Sequence, residues 1–166
     1  MFQELDPKAL QGNVFSLFDD RWTLITAGTQ DRCNTMTASW GGLGVLWNKN
    51  VATIYVRPQR YTFEFLENTS HFTLSFFTEE WRKELAYCGT ASGRDEDKFA
   101  HCGFHVAMAG EEAPYIQEAD LVLVCKKLYW NDLDPAHMDP CGLDCYPEQD
   151  YHRMYIGEIT KVLISQ

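Results

Sequence analysis

The chain has 166 residues, of which 45% are hydrophobic and 14% aromatic, and its formal net charge at pH 7 is −10. This length and composition predict one globular domain spanning residues 1–166 and exclude an intrinsically disordered chain. The negative charge argues against nonspecific binding to nucleic acid or to an anionic membrane, because either polyanion would be repelled.

The sequence also predicts a cytoplasmic protein. No apolar run reaches the roughly 18 residues of a membrane-spanning helix, and the first residues do not place a basic segment before an apolar one, as a signal peptide would. The six cysteines are scattered along the chain, at Cys33, Cys88, Cys102, Cys125, Cys141 and Cys145. Without a secretion signal, that distribution favours reduced thiols.

The predicted secondary structure is mostly strand. Runs rich in β-branched and aromatic residues predict strands over 15–28 (with a turn at Asp19-Asp20), 35–40, 51–56, 71–77, 121–125 and 154–164. Since no long helices separate these strands, the pattern favours a closed antiparallel barrel with helical decoration over a doubly wound parallel sheet.

Short helices are predicted between some of the strands. One covers 62–68 with Thr62 as its N-cap, another covers 79–88 with Thr78 as its N-cap, and a helical turn covers 96–100. The segment 131–149 is rich in Asp, Pro and Gly, which is typical of a long loop.

Two stretches of the chain suit a phosphate. Residues 34–42 follow a predicted strand and contain Thr37 and Ser39, while residues 56–62 place Arg57, Arg60 and Thr62 at a strand-to-helix turn. Arginines, hydroxyls and free backbone N–H groups are the groups that bind phosphate. In the alternative interpretation, the two arginines are surface charges paired with glutamates 64 and 67, and the hydroxyls are ordinary strand residues.

The residues next to the first stretch suit a planar ring. Trp40 and the glycines that follow it could pack against a flat ring lying on the main chain, although a core tryptophan before a turn has the same pattern. A ligand with both a phosphate and a large ring is a nucleotide or a flavin mononucleotide. No glycine-rich dinucleotide or P-loop motif is present.

A metal centre is the weaker hypothesis. Cys141 and Cys145, with His137 and Asp139 upstream, could form a cluster, but no second paired motif completes a zinc site. We therefore predict no metal and a polar loop with reduced thiols. His152 stands at the start of the last predicted strand, where it could be structural or could donate a hydrogen bond toward a reduced ring.

In their order along the chain, these pieces resemble the flavin reductase-like, FMN-binding split-barrel family from about Phe15 to Ile164. The matching pieces are Thr35 to Trp40, Arg57 to Thr62 with its helix, the strand from His71, Ser92 to Asp95 with Lys98-Phe99, Pro114 to Ala119, and His152 to Ile159. The segment 131–149 has no counterpart in the resemblance and would shape a separate substrate preference.

The resemblance implies a mainly β fold with short helices, an antiparallel, Greek-key-like split β-barrel, assembled as a homodimer with noncovalent FMN near the subunit interface. It assigns the cofactor to one set of residues: Thr35, Met36, Thr37, Ala38, Ser39 and Trp40 beside the ring and ribityl chain, and Arg57, Arg60, Tyr61, Thr62, Ser92 and Lys98 toward the phosphate. His152 would lie near the flavin and the nicotinamide, as the catalytic residue.

Three functions follow from the resemblance. The first is an oxidoreductase that passes electrons from NADH or NADPH through FMN to a flavin or another acceptor. The second is an FMN-bearing electron carrier, similar to flavoredoxins, that a partner redox protein loads. The third is a flavin-binding module without turnover.

Overall fold

The computed structural model of the protein describes residues 2–111 and 113–166. Within them the chain forms ten strands: β1 (Phe2–Leu5), β2 (Thr23–Gly28), β3 (Cys33–Ala38), β4 (Gly41–Leu46), β5 (Lys49–Val56), β6 (His71–Phe76), β7 (Val106–Ala109), β8 (Ala113–Ile116), β9 (Leu121–Asp132) and β10 (Arg153–Ser165). The five α-helices are α1 (Val14–Asp19), α2 (Tyr61–Asn68), α3 (Arg82–Thr90), α4 (Lys98–Cys102) and α5 (Pro140–Leu143). Short 3-10 turns occupy Pro7–Ala9, Glu79–Trp81 and Pro135–His137.

The strands form one large antiparallel sheet and one hairpin. The large sheet has the order β3-β2-β6-β9-β10-β5-β4, with β1 added beside β10, and β7 pairs with β8 separately. The two ends of this path, β3 and β4, are joined by only Ser39 and Trp40, so the sheet must curl until its ends meet. No pairing connects β3 with β4 in the described part of the chain. The mainly β split barrel is confirmed, and the expectation of a fully closed barrel is wrong.

Apolar residues cover both faces of the sheet. Ile25 and Leu123 belong to the cluster inside the curled sheet, whereas their neighbours Leu24 and Val122 belong to a second cluster under α3, α4 and the β7–β8 hairpin. Successive side chains of a strand point to opposite faces. Coverage of both faces therefore explains why 121–125 is a continuous apolar run and shows no alternation.

The predicted strand over 15–28 is partly wrong. Its first residues form α1, because Asn13 caps that helix by accepting the Phe15 backbone N–H at 3.0 Å. Trp22 then adopts a left-handed φ of 64°, which separates α1 from β2. Strand β4, with three glycines in six residues, is absent from the sequence-based prediction because glycine lowers strand propensity.

The predicted helices are present with different starts. Helix α2 begins at Tyr61, and Thr62 is not its cap: the Thr62 hydroxyl is buried and accepts a hydrogen bond from the Asn34 amide at 2.8 Å. Thr78 precedes a 3-10 turn without capping it. The helical turn predicted over 96–100 is α4, which Asp97 caps.

The segment 131–149 is only partly a loop. Strand β9 continues into it as far as Asp132, and α5 lies within it. In the described residues, no helix is long and apolar enough to cross a membrane.

Gly157 allows the longest strand to pack closely against the core. The register of β10 with β9 shifts between Ile156 and Gly157, which marks a bulge. A Cβ atom at Gly157 would lie 2.8 Å from the Phe72 ring and 2.9 Å from the Cys125 Cβ. Both neighbours are fully buried, so neither can move aside without disturbing the core.

We expect Gly157→Ala to lower the free energy of unfolding by about 1–3 kcal/mol, because the added methyl overpacks this contact. Urea denaturation measures the effect. Gly44→Ala is the matched control, since a Cβ at Gly44 in β4 meets nothing within 4 Å. Equal stabilities for the two variants would contradict the close approach at Gly157.

Candidate functional site

A cleft of about 220 Å³ opens where β3, the β3–β4 link, β5 and the start of β10 converge. Nine residues line it: Met36, Thr37, Ala38, Ser39, Trp40, Tyr55, Arg57, Arg60 and His152. Eight of these are sequence-predicted site residues. The cleft shares Ser39, Trp40 and Tyr55 with a neighbouring groove of about 960 Å³.

The edge of β3 that faces away from β2 supplies one backbone donor beside the cleft. The Thr35 carbonyl accepts a hydrogen bond from the Lys98 side chain at 2.9 Å, so it points away from β2. In an antiparallel pair the N–H and C=O of one residue point to the same side, and the direction alternates along the strand. Thr37 therefore directs its backbone N–H toward the same open edge.

Strand β5 brings two further side chains to the cleft. Tyr55 and Arg57 are two residues apart and lie on one face of the strand, while Val56 between them is fully buried in the core. Tyr55 was not predicted from the sequence, but this period of two is a signal that could have identified it.

Arg60 is a half-buried cation without a carboxylate partner. Its guanidinium donates to the Gly89 carbonyl at 2.8 Å, and within residues 2–111 and 113–166 it forms no ion pair. Burial, together with the nearby charge of Arg57, lowers the pKa of Arg60 from its ordinary value. An anion entering the cleft would relieve both effects.

Arg57 already has an anionic partner. Its guanidinium lies 2.5 Å from the Asp150 carboxylate, donates to the Cys145 carbonyl at 3.0 Å, and sits 5.0 Å above the Tyr146 ring. The arginine side chain holds the pKa of Asp150 below its usual range. All three contacts come from the segment 133–150, which thereby folds against the cleft.

The predicted alternative for the two arginines is wrong. Glu64 pairs with Arg94, and Glu67 pairs with Arg153 at 2.9 Å. Neither glutamate is therefore the partner of Arg57 or Arg60.

His152 is a buried, neutral wall of the cleft. Only 8% of its surface is exposed, its Nδ1 lies 2.7 Å from the Tyr146 hydroxyl, and its ring lies 5.3 Å from that of Trp40. Burial, followed by the positive charge of Arg57, lowers the pKa of His152 to about 4. The imidazole is therefore uncharged at neutral pH.

Two predicted threonines lie inside the protein and do not line the cleft. The Thr35 hydroxyl donates to the Ile25 carbonyl at 3.2 Å, and Thr62 is held by Asn34. Both side chains thus fasten β3 to its neighbours.

Three other predicted residues also lie apart from the cleft. Lys98 is buried, and its ammonium donates to the carbonyls of Thr35 and Cys88, each at 2.9 Å. The Tyr61 hydroxyl accepts a hydrogen bond from Arg32 at 2.7 Å, and the Ser92 hydroxyl accepts the Arg94 backbone N–H at 3.2 Å. Tyr61 and Lys98 line a separate hollow of about 550 Å³.

Two neighbours of the cleft, Tyr146 and Asp150, could not have been identified from sequence spacing. Both residues belong to the segment 133–150, and their contacts with Arg57 and His152 form only when the chain has folded. In the same segment, Cys141 and Cys145 are exposed free thiols. No group of three or more His, Cys, Asp and Glu residues in the described part of the chain is arranged to hold a metal ion.

Residues 15–166 match the family described as the flavin reductase like domain. The chain belongs to this family. No curated protein matches the chain at a significant level.

Solved structures agree with the flavin reductase-like fold. An FMN-binding domain of a flavin reductases-like enzyme from Shewanella baltica OS155 is similar with a TM-score of 0.72 at 20% identity, covering 99% of this chain and 77% of that one. Flavoredoxin of Desulfovibrio vulgaris (Miyazaki F) has a TM-score of 0.70 at 22% identity, covering 99% and 76%. An NADH:FAD oxidoreductase of Streptomyces globisporus C-1027, in complex with NAD and FAD fragments, has a TM-score of 0.65 at 18% identity, covering 87% and 74%.

The buried imidazole makes the stability of this flavin reductase-like protein pH-dependent. Unfolded His152 takes up a proton near pH 6.5, whereas the folded residue does so only near pH 4. Between these values the unfolded state binds more protons, so the free energy of unfolding falls as the pH falls. We expect wild type to lose about 2–3 kcal/mol relative to His152→Asn from pH 7 to pH 4.

Urea denaturation across this pH range measures the loss. His137→Asn is the control, since the His137 side chain is exposed. A constant difference in stability between wild type and His152→Asn would show that His152 titrates normally in the folded protein.

Proposed function

We propose that the protein binds FMN noncovalently in this cleft and acts as an oxidoreductase that takes electrons from NADH or NADPH. The observation that carries the proposal is Arg60, a half-buried cation without a carboxylate partner in the described chain, which faces the same cleft as Trp40 and His152. A phosphate dianion would supply the anionic partner that such a cation lacks.

Arg60 is the stronger phosphate ligand of the two arginines. Arg57 shares its charge with Asp150, so a phosphate must compete with that carboxylate for it. We therefore assign the principal phosphate contact to Arg60 and a secondary one to Arg57.

The remaining cleft residues suit the flavin ring. The indole of Trp40 is half exposed, so it is available to a planar ligand. The backbone N–H of Thr37 can donate to a ring carbonyl at the open edge of β3. When bound, FMN would supply the two-electron chemistry, while the protein would orient the ring and keep water from one side of it.

The proposal of an electron donor rests on the family and on one related structure. The Streptomyces globisporus protein is an NADH:FAD oxidoreductase, whereas the Desulfovibrio vulgaris protein is a flavoredoxin. The groove beside the cleft leaves space next to Trp40 for a second planar ligand, which favours direct reduction by a nicotinamide over loading by a partner protein.

We expect the purified protein, mixed with FMN and passed through a desalting column, to keep the visible absorption bands of the flavin and to lose them with NADH or NADPH. Arg60→Ala should weaken FMN binding by about 10- to 100-fold, because it removes charged hydrogen bonds to phosphate. Arg57→Ala should weaken it by less than about tenfold. Equilibrium titration of flavin fluorescence measures each dissociation constant.

Arg94→Ala is the matched control, since Arg94 lines the separate hollow beside Tyr61. If Arg94→Ala alone weakened FMN binding, the FMN site would be assigned to that hollow and not to the cleft. Retained FMN that neither nicotinamide bleaches would identify an electron carrier or a binding module. Unchanged FMN affinity in Arg60→Ala would refute the phosphate assignment.

We further propose that two copies of the chain form a homodimer. The supporting observation is an uncovered apolar edge: β4 ends the strand path, and the side chains of Val45 and Trp47 are 75% and 61% exposed. A free strand edge with large apolar side chains is an unfavourable surface for a monomer. Phe15, on the adjacent α1, is also exposed.

Light scattering coupled to size-exclusion chromatography should report a dimer for wild type. Val45→Lys should shift the equilibrium toward monomer, because it places a charge in the apolar interface. Tyr129→Lys, at another exposed aromatic on β9, should leave the dimer intact. A monomeric wild type would exclude the homodimer.

A further inference from the structure

Tyr146 lies in the segment 133–150, and its ring packs against Arg57 and His152, two residues that line the cleft. Only 7% of its surface is exposed, and its hydroxyl lies 2.7 Å from Nδ1 of His152. We propose that Tyr146 is a positioning residue that holds His152 as the Nε2–H tautomer, with that N–H presented to the ligands of the cleft. The functional half of this inference rests on the proposed function.

The segment is fixed at several points around this contact. The Leu133 backbone N–H donates to the His152 carbonyl at 3.0 Å, and Asp150 is held by Arg57. The imidazole itself lies between the rings of Trp40 and Tyr146, at 5.3 Å and 5.4 Å. These contacts leave the His152 ring little freedom to rotate.

The direction of the hydrogen bond follows from the protons available. Burial raises the pKa of Tyr146, so the phenol keeps its proton, and the neutral imidazole of His152 carries one proton. If the phenol donates to Nδ1, the phenolic O–H and the Nδ1 lone pair satisfy each other, and the ring proton is on Nε2, on the side of the ring that Tyr146 does not occupy. If Nδ1–H donated instead, the buried phenolic O–H would have no acceptor among the hydrogen bonds of the described residues. A buried donor without a partner is costly.

The charges facing His152 make this neutral donor persistent. Burial disfavours a second proton on the ring, the charges of Arg57 and Arg60 add to this effect, and Asp150 only partly offsets them. Since Nδ1 is occupied by Tyr146, Nε2 is the nitrogen left for the cleft. It can donate to a carbonyl oxygen, such as the carboxamide of a nicotinamide, at any pH well above 4. In histidine sites generally, the hydrogen bond made by one ring nitrogen decides whether the other ring nitrogen carries the proton.

Nitrogen NMR of the protein without FMN tests the tautomer directly. With ¹⁵N-labelled histidine, and with His152 assigned through His152→Asn, we expect Nδ1 to resonate as an unprotonated nitrogen and Nε2 as a protonated one. Tyr146→Phe should move the Nδ1 resonance, because it removes the donated hydrogen bond but keeps the ring. Tyr151→Phe is the control, since Tyr151 contacts Tyr146 through its ring.

The functional readout separates positioning from binding. For nicotinamide oxidation by the FMN-loaded protein, Tyr146→Phe should lower kcat about tenfold and leave the dissociation constant of FMN unchanged within about twofold. Tyr151→Phe should change neither. A residue that acts only through stability would lower Tm without moving the Nδ1 resonance.

Each result decides one point. An Nδ1–H tautomer in wild type overturns the inference whether or not FMN binds, and so does an Nδ1 resonance that Tyr146→Phe leaves in place. An unchanged kcat in Tyr146→Phe overturns the functional half. Absence of FMN binding refutes the proposed function but leaves the tautomer measurement valid. If Tyr146→Phe does not fold, the wild-type spectrum still decides the tautomer.

Discussion

The carbonyl end of α3 is the fixed point on which the cleft depends. In its last turn, Cys88 accepts a hydrogen bond from Lys98 and Gly89 accepts one from Arg60, each through a backbone carbonyl. These are carbonyls that a helix cannot satisfy internally, and the negative end of the helix dipole favours cations there. Burial lowers the pKa of Lys98 to about 8, and the carbonyls of Cys88 and Thr35 accept hydrogen bonds from its ammonium. The end of α3 therefore fixes the open edge of β3 and the Arg60 guanidinium relative to each other.

The protein concentrates positive charge locally although its net charge is −10. Arg57 and Arg60 face the cleft, and burial and mutual repulsion lower the pKa of Arg60. Burial, reinforced by these charges, keeps His152 neutral, so a group that often works as an acid at physiological pH is left here as a hydrogen-bond donor. The two arginines that make the cleft complementary to an anion thus also contribute to suppressing protonation of the histidine.

Local patterns in the sequence predicted six of the ten strands in the described residues and most of the cleft, because strand propensity, a period of two and arginine-rich turns are visible without knowing the fold. Glycine-rich β4 could not be predicted, since its strand conformation comes from pairing with β5 and not from intrinsic propensity. Thr62 was associated with the phosphate by its place in the arginine-rich turn, and Lys98 by family resemblance. Their burial against carbonyls and an amide depends on how α3, α4 and β3 pack, which residue spacing does not encode. Tyr146 and Asp150 carried no local signal for the same reason.

In the Arg57–Asp150 ion pair, a carboxylate of the chain itself would compete with a ligand phosphate for Arg57. A phosphate must displace the Asp150 carboxylate before it can bind Arg57. By linkage, the ordered segment 133–150 therefore gives the protein a lower affinity for phosphate than it would have with Arg57 unpaired. The competing carboxylate stays covalently attached, so its effective concentration does not fall when the protein is diluted. In the proposed function, the strength of this ion pair would therefore adjust how long a phosphate-bearing cofactor stays in the cleft, on top of the retention that Arg60 provides.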